Sequence, residues 1–108
     1  MIEVRHVDAA TIITVREAVD MLSAPTLQNA VRMAENTSIG LIVVVLSECP
    51  YCDSTCLGIL LRAAHLIGDR FRVIVSAGSV PYRLFEIMGL TDQPFVFESL
   101  ACALATRA

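Results

Sequence analysis

Apolar positions fall along the chain in short blocks, and their spacing alternates between the period of a strand and the period of a helix. Ile2 to Val7 and Thr11 to Val15 read as two short strands, with Asp8, Ala9 and Ala10 as the turn between them. Leu27, Ala30, Val31 and Ala34 recur at helical spacing and predict an amphipathic helix over 24–35. Ser23 offers that helix an N-cap oxygen, and Pro25 sits in its first turn, where a missing N–H costs nothing. Residues 36–40 close it. Leu41 to Leu46 is apolar without interruption, the pattern of a strand covered on both faces and far too short to cross a bilayer. A second helix follows over 54–67, capped by Asp53, with Leu57, Leu60, Leu61 and Ala64 as its inward stripe. Phe71 to Val75 is another strand. Ser79 and Pro81 open a third helix with Leu84, Ile87 and Met88 turned inward and Gly89 as its stop. Phe95 to Phe97 is a short extended piece, and Ser99 caps a last helix containing Leu100, Ala103 and Leu104.

Strands alternating with helices imply an α/β fold, a mixed sheet of four to five strands with about four helices packed against it. No repeat, low-complexity tract or linker divides the chain, so residues 1–108 are expected to form a single domain. With 56% hydrophobic residues, the chain can bury a core without metal or disulfide staples. Its net charge is −3 and its arginines are scattered, which argues against nucleic acid as a partner. Glu3, Arg5, His6 and Asp8 interrupt the start, so no export signal or membrane span is read and a cytoplasmic protein is expected. The four cysteines are then reduced thiols rather than a disulfide framework.

The chemistry concentrates between Leu46 and Gly58. Cys49-Pro50-Tyr51-Cys52 resembles the active-site motif of glutaredoxins, and a thiolate at a helix N-terminus is chemically sensible. Ser79-Val80-Pro81 is faintly similar to their downstream cis-proline. The order of elements argues against this reading. In the glutaredoxin-like fold the motif follows the first strand; here two strands, a helix and a third strand precede it. Cys49, Cys52 and Cys56 are also a potential set of metal thiolates. Zinc needs a fourth ligand, and nothing places Cys102, His6 or His65 beside them, so no metal and no cofactor are expected. His65 reads as a helix-surface residue.

The same stretch carries Asp53-Ser54-Thr55 at the start of a helix, and here the resemblance extends along the chain. From about Val4 to Leu104 the sequence resembles the STAS domain of bacterial anti-sigma factor antagonists. Val19-Asp20-Met21-Leu22-Ser23-Ala24-Pro25-Thr26-Leu27 is similar to that family's Leu-Asp-x-x-x-Ala-Pro-x-Leu lead into the first helix. Leu46-Ser47, a loop and Asp53-Ser54-Thr55 resemble its strand end and Asp-Ser-Ser/Thr-Gly-Leu-Gly signature. Leu60-Leu61-Arg62-Ala63, Leu84 to Leu90, and Phe97-Glu98-Ser99-Leu100 with Ala103-Leu104 follow in the family's order.

The resemblance implies a mixed sheet with helices to one side and a non-enzymatic protein–protein switch. It implies as partner an anti-sigma factor that is a serine kinase with bound ATP, which phosphorylates the serine after the signature aspartate. That serine is Ser54, with Asp53 and Thr55 in support. A Ser/Thr phosphatase reverses the mark, and the unmodified form frees a sigma factor. Asp20, Ser23, Cys52, Cys56 and Gly58, with the Cys49–Cys52 loop, are expected to edge the docking surface. ATP would belong to the partner, since the chain has no glycine-rich phosphate loop. A homodimer is compatible with the apolar composition.

Three departures stand out. The glycine after the hydroxyl pair is Cys56, the usual Gly-Glu before Leu-Asp is Glu17-Ala18, and the aspartate before Leu-Ser is Val45. Cys56 places a Cβ where the partner's backbone would approach, and the other two remove an acidic residue and a flexible turn from the expected binding edge. Two further readings therefore stay open: a STAS scaffold not regulated by phosphorylation, and a thiol–disulfide oxidoreductase using Cys49 and Cys52. Oxidation of the clustered cysteines is a further way to alter the docking surface.

Overall fold

The computed structural model describes residues 1–105. Strands β1 (Ile2–Val7), β2 (Ala10–Val15), β3 (Ile42–Val45), β4 (Phe71–Ile74) and β5 (Val96–Phe97) form one sheet in the order β1-β2-β3-β4-β5. The helices are α1 (Ala24–Thr37), α2 (Ser54–Ile67), α3 (Val80–Ile87) and α4 (Leu100–Ala105). β1 pairs antiparallel with β2 in the register Val4↔Ile13. All later pairings are parallel, with Ile13↔Val44, Val44↔Val73 and Val73↔Val96 in line. A two-residue turn closes β1 onto β2, whereas each parallel step needs a crossover long enough to hold a helix. The α/β fold, its mixed sheet and its four helices are as the sequence predicts.

β3 lies at the centre and shows why its run is apolar throughout. Ile42 and Val44 face one side of the sheet, where they meet Leu27 and Val31 of α1, Leu57 and Leu60 of α2 and Phe85 of α3. Val43 faces the other side with Ile12, Ile74 and Ala103 of α4. The helices are therefore not all to one side, as the family resemblance implied. α4 covers the opposite face, and the signal for it was the second apolar stripe of β3 itself. That face also holds a residue the periodicity passed over: Arg72 is 3% exposed in β4. Its guanidinium donates to the Ala103 carbonyl and stacks 5.4 Å from the Phe97 ring centroid, so it ties α4 and β5 to the sheet.

Three inward stripes need correction. In α2 the buried residues are Cys56, Leu57, Leu60 and Ala63; Leu61 lies on the outer face and Ala64 is half-buried. In α3 the buried residues are Pro81 and Phe85, whereas Ile87 and Met88 point to solvent and Leu84 is half-buried. In α4 Ala103 is buried and Leu104 is exposed. The α2 stripe is turned toward Cys56, which fills the space beneath the loop, and in α3 the aromatic ring of Phe85 is the larger group to bury. The stop of α3 is as expected. Gly89 has φ 70°, its N–H donates to Glu86 and the Leu90 N–H donates to Phe85, a Schellman close.

Gly40 fixes the junction between the β1–β2 turn and β3. A Cβ there would lie 1.7 Å from the Ala9 carbonyl oxygen, and Arg70 clamps the same segment by donating to the Ser38 and Gly40 carbonyls at 3.0 and 2.8 Å. Gly40→Ala is expected to lower stability by about 2 kcal/mol, read as a lower urea midpoint at unchanged slope. An unchanged midpoint would mean that the turn yields without cost.

Candidate functional site

Because β2, β3 and β4 run parallel, the connections that leave their C-terminal ends, 16–23, 46–53 and 75–79, gather at one edge of the sheet. Open parallel sheets build their sites at this edge. The first two connections are stitched together. The Val19 N–H donates to the Tyr51 carbonyl at 2.9 Å, and the Asp53 N–H donates to the Val19 carbonyl at 3.2 Å. The Cys49 thiol lies 3.3 Å from the Glu17 carbonyl oxygen and 3.2 Å from that of Tyr51, joining the same two segments. Arg16 adds an exposed link, pairing with Glu3 at 2.5 Å and with Glu48 at 3.3 Å.

Asp20 and Ser23 form a local unit rather than a simple helix cap. The Asp20 carboxylate accepts from the N–H groups of Leu22 and Ser23 at 2.9 and 3.1 Å. These bonds hold its pKa below the usual carboxylate value. Ser23 precedes α1 in a helical conformation and its hydroxyl caps no helix N–H, contrary to the sequence expectation. It donates instead to the Ala18 carbonyl at 3.1 Å and accepts from the Asp20 N–H at 3.0 Å. The result is a fixed turn that holds Met21 and Leu22 in solvent, 72% and 89% exposed.

Asp53 does cap α2 as predicted. Its Oδ1 accepts from the Thr55 and Cys56 N–H groups at 3.0 and 3.2 Å. Ser54 is the first residue of the helix and Thr55 the second; both are exposed. Among the described residues the Ser54 hydroxyl makes no hydrogen bond to protein, so nothing has to be broken to reach it. Gly58, one turn further, is exposed and has open space around its α-carbon.

The cysteines lie elsewhere than the docking reading placed them. Cys49, Cys52 and Cys56 are 3%, 2% and 0% exposed and belong to the core beneath the loop. Cys52 and Cys56 therefore contribute packing under the surface and no contact area to it. The Cβ and thiol of Cys56 turn inward, so its replacement of glycine adds nothing that would block a partner's approach. The neighbouring Cys56 thiol lowers the Cys52 pKa, and the Cys52 thiol together with burial raises that of Cys56 well above the ordinary thiol range. Burial raises Cys49 as well. A buried, protonated Cys49 is a poor nucleophile, and Pro81 lies in the first turn of α3 rather than on a cis-proline strand. Among the described residues no group of three or more His, Cys, Asp or Glu is arranged to hold a metal.

His65 is on the α2 surface and His6 on β1, with Nδ1 3.3 Å from the Thr11 hydroxyl. Val45, the last residue of β3, packs on the α4 face beside Phe97 and Leu100, opposite the face that holds α1 and α2. Its substitution for an acidic residue therefore alters the underside of the sheet. Tyr51, in the Cys49–Cys52 loop expected at the docking surface, is exposed there; the other exposed apolar residues at the edge, Met21, Leu22 and, at the start of α3, Val80, were missed from sequence. The signal was present, since each interrupts a polar turn and fits no helix or strand stripe.

No helix among the described residues is long and apolar enough to cross a membrane. The STAS domain family matches residues 1–103. Comparison with curated proteins gives no significant match. Among solved structures, an anti-sigma factor antagonist from Mycobacterium paratuberculosis superposes with a TM-score of 0.87 at 24% identity, covering 97% of this chain and 91% of its own. A Thermotoga maritima protein assigned as an anti-sigma factor antagonist gives 0.79 at 17% identity, covering 96% and 92%. The unphosphorylated antagonist SpoIIAA, from Bacillus, gives 0.73 at 15% identity, covering 96% and 93%. At these identities the likeness is one of fold.

Two measurements check the site's construction. Of the four thiols, Cys102 on the exposed face of α4 is expected to react promptly with an aromatic disulfide reagent, and the other three only in denaturant. Prompt reaction of two or more would contradict the burial. Asp53→Ala removes the acceptor for two amides and is expected to cost about 1–2 kcal/mol in urea unfolding, with Asp53→Asn nearer wild type.

Proposed function

This chain belongs to the STAS domain family, and we propose that it is an anti-sigma factor antagonist whose docking edge is controlled by phosphorylation of Ser54. The observation that carries this reading is the hydroxyl of Ser54. It is exposed, unengaged and held in a fixed place by the Asp53 cap, at the edge where two connections are bonded to each other. Exposed Met21, Leu22 and Tyr51 beside it supply the apolar anchors an interface core needs.

Asp53 already occupies the Thr55 and Cys56 amides, so a phosphate on Ser54 gains little from them and stays in solvent. Its charge, about −1.5 to −2, then adds to those of Asp53 and Asp20. A partner that docks against the unmodified edge with complementary charge and apolar contact would meet a like-charged, strongly hydrated group instead. The regulation is electrostatic and needs no rearrangement of this domain. In this reading the partner is an ATP-using anti-sigma serine kinase, a phosphatase removes the mark, and the chain is a cytoplasmic regulator without catalysis of its own. Asp20 and Gly58 edge the contact through their exposure, and Ser23 acts by holding the turn that presents Leu22.

Titration calorimetry against the anti-sigma kinases of the source organism tests the proposal. Wild type and Ser54→Ala are expected to bind one of them, and Ser54→Glu to bind about tenfold or more weakly. Radiolabel from ATP should appear on wild type and Thr55→Ala and be lost in Ser54→Ala. Equal binding by wild type, Ser54→Ala and Ser54→Glu without labelling would instead identify a phosphorylation-independent STAS adaptor.

A further inference from the structure

Among the described residues, the outer edge of β1 has no strand beside it in the sheet. β1 is the terminal strand of the sheet, six residues long, and from Val4 to Val7 every residue is exposed. The Arg16 N–H donates to the Met1 carbonyl at 2.8 Å, and the two are opposite in the register that pairs Ile2 with Val15. In an antiparallel ladder hydrogen-bonded pairs alternate with non-bonded ones. Met1, Glu3, Arg5 and Val7 therefore bond to β2, while the N–H and C=O groups of Ile2, Val4 and His6 point away from the sheet. These outward groups are a template for another strand.

Charge and parity select the same partner register. Two β1 strands running antiparallel about a two-fold axis at Val4 place Val4 opposite Val4 and Ile2 opposite His6, which joins outward-pointing groups to outward-pointing groups. The overlap is the whole strand. The same register puts Glu3 opposite the second copy's Arg5, and Arg5 opposite its Glu3, as non-hydrogen-bonded pairs whose side chains come closest. Arg5 makes no ion pair among the described residues, and Glu3 uses one carboxylate oxygen on Arg16. Beside the strand runs a groove of about 380 Å³ between β1 and α1, lined by Ile2, Val4, His6, Ala30 and Met33. Val4 and Met33 are 47% and 66% exposed there. The two-fold brings Val4 against its symmetry mate and lays the two grooves side by side.

We propose that the chain forms a symmetric dimer through antiparallel β1–β1 pairing about Val4, making one continuous sheet across both copies. The contact lies on the strand edge and leaves the Ser54 edge uncovered, so it does not depend on the function proposed above.

Sedimentation equilibrium of the full chain reads the dimer as a doubling of mass with concentration. Val4→Pro removes an outward N–H and no bond to β2, a substitution that edge strands tolerate. It is expected to give a monomer with unchanged circular dichroism. Glu3→Arg and Arg5→Glu each place like charges face to face and should raise the dimer dissociation constant by about tenfold or more. An equimolar mixture of these two variants restores both ion pairs and should form a mixed dimer, a result that no folding defect in either variant would produce. A monomeric wild type at all concentrations, or a dimer indifferent to Val4→Pro with no mixed-dimer preference, overturns the proposal.

Discussion

Parallel bonding on both sides of β3 is the constraint from which the rest of the architecture follows. A strand with parallel neighbours cannot be reached by a tight turn, so each step across the sheet passes through a helix. It is also covered on both faces, which is why Leu41 to Leu46 carries no polar side chain. And it sends its own C-terminal connection to the same edge as those of its neighbours. The backbone groups freed there need partners, and the Val19–Tyr51 and Asp53–Val19 bonds and the Cys49 thiol supply them.

That stitching decides how a signal at the edge can act. A loop held at both ends by backbone hydrogen bonds and filled below by Cys52, Cys56 and Leu57 has little room to rearrange. In the proposed switch, a phosphate at Ser54 would therefore act through the charge it presents to a partner. The three clustered cysteines, which in sequence compete with the hydroxyls for attention, serve this rigidity. They are small, polarisable groups under a tight loop, and the Cys49 thiol bonds to the Glu17 and Tyr51 carbonyls.

Much of this was legible before any coordinates. Asp53 as the cap of α2, Gly89 as the stop of α3 and the double burial of β3 each rest on local chemistry that a one-dimensional pattern records. The family resemblance placed Ser54 at the head of a helix, and that is where it lies. What could not be read is set by tertiary geometry. Ile87 and Met88 are as apolar as any core residue, and only the rotation of α3 that buries Phe85 sends them outward. Arg72 has the composition of a surface residue, and the Ala103 carbonyl and Phe97 ring that meet its guanidinium are tertiary partners no local pattern records. Ser23 has the chemistry of a cap, but Pro25 has no N–H to offer, the Thr26 N–H donates to the Ser23 carbonyl, and the hydroxyl turns back to Ala18 and Asp20. Cys49 and Cys52 have the spacing of a dithiol, but the spacing does not say which way the thiols turn.

The most direct test of the central claim is amide chemical-shift mapping of isotope-labelled protein on addition of an anti-sigma kinase from the same cell. The account predicts that perturbations concentrate at residues 19–23, 50–58 and the start of α3, and that Asp53 and Ser54 are among the largest. Perturbations confined to β1, α1 or α4, with the Ser54 edge silent, would contradict it.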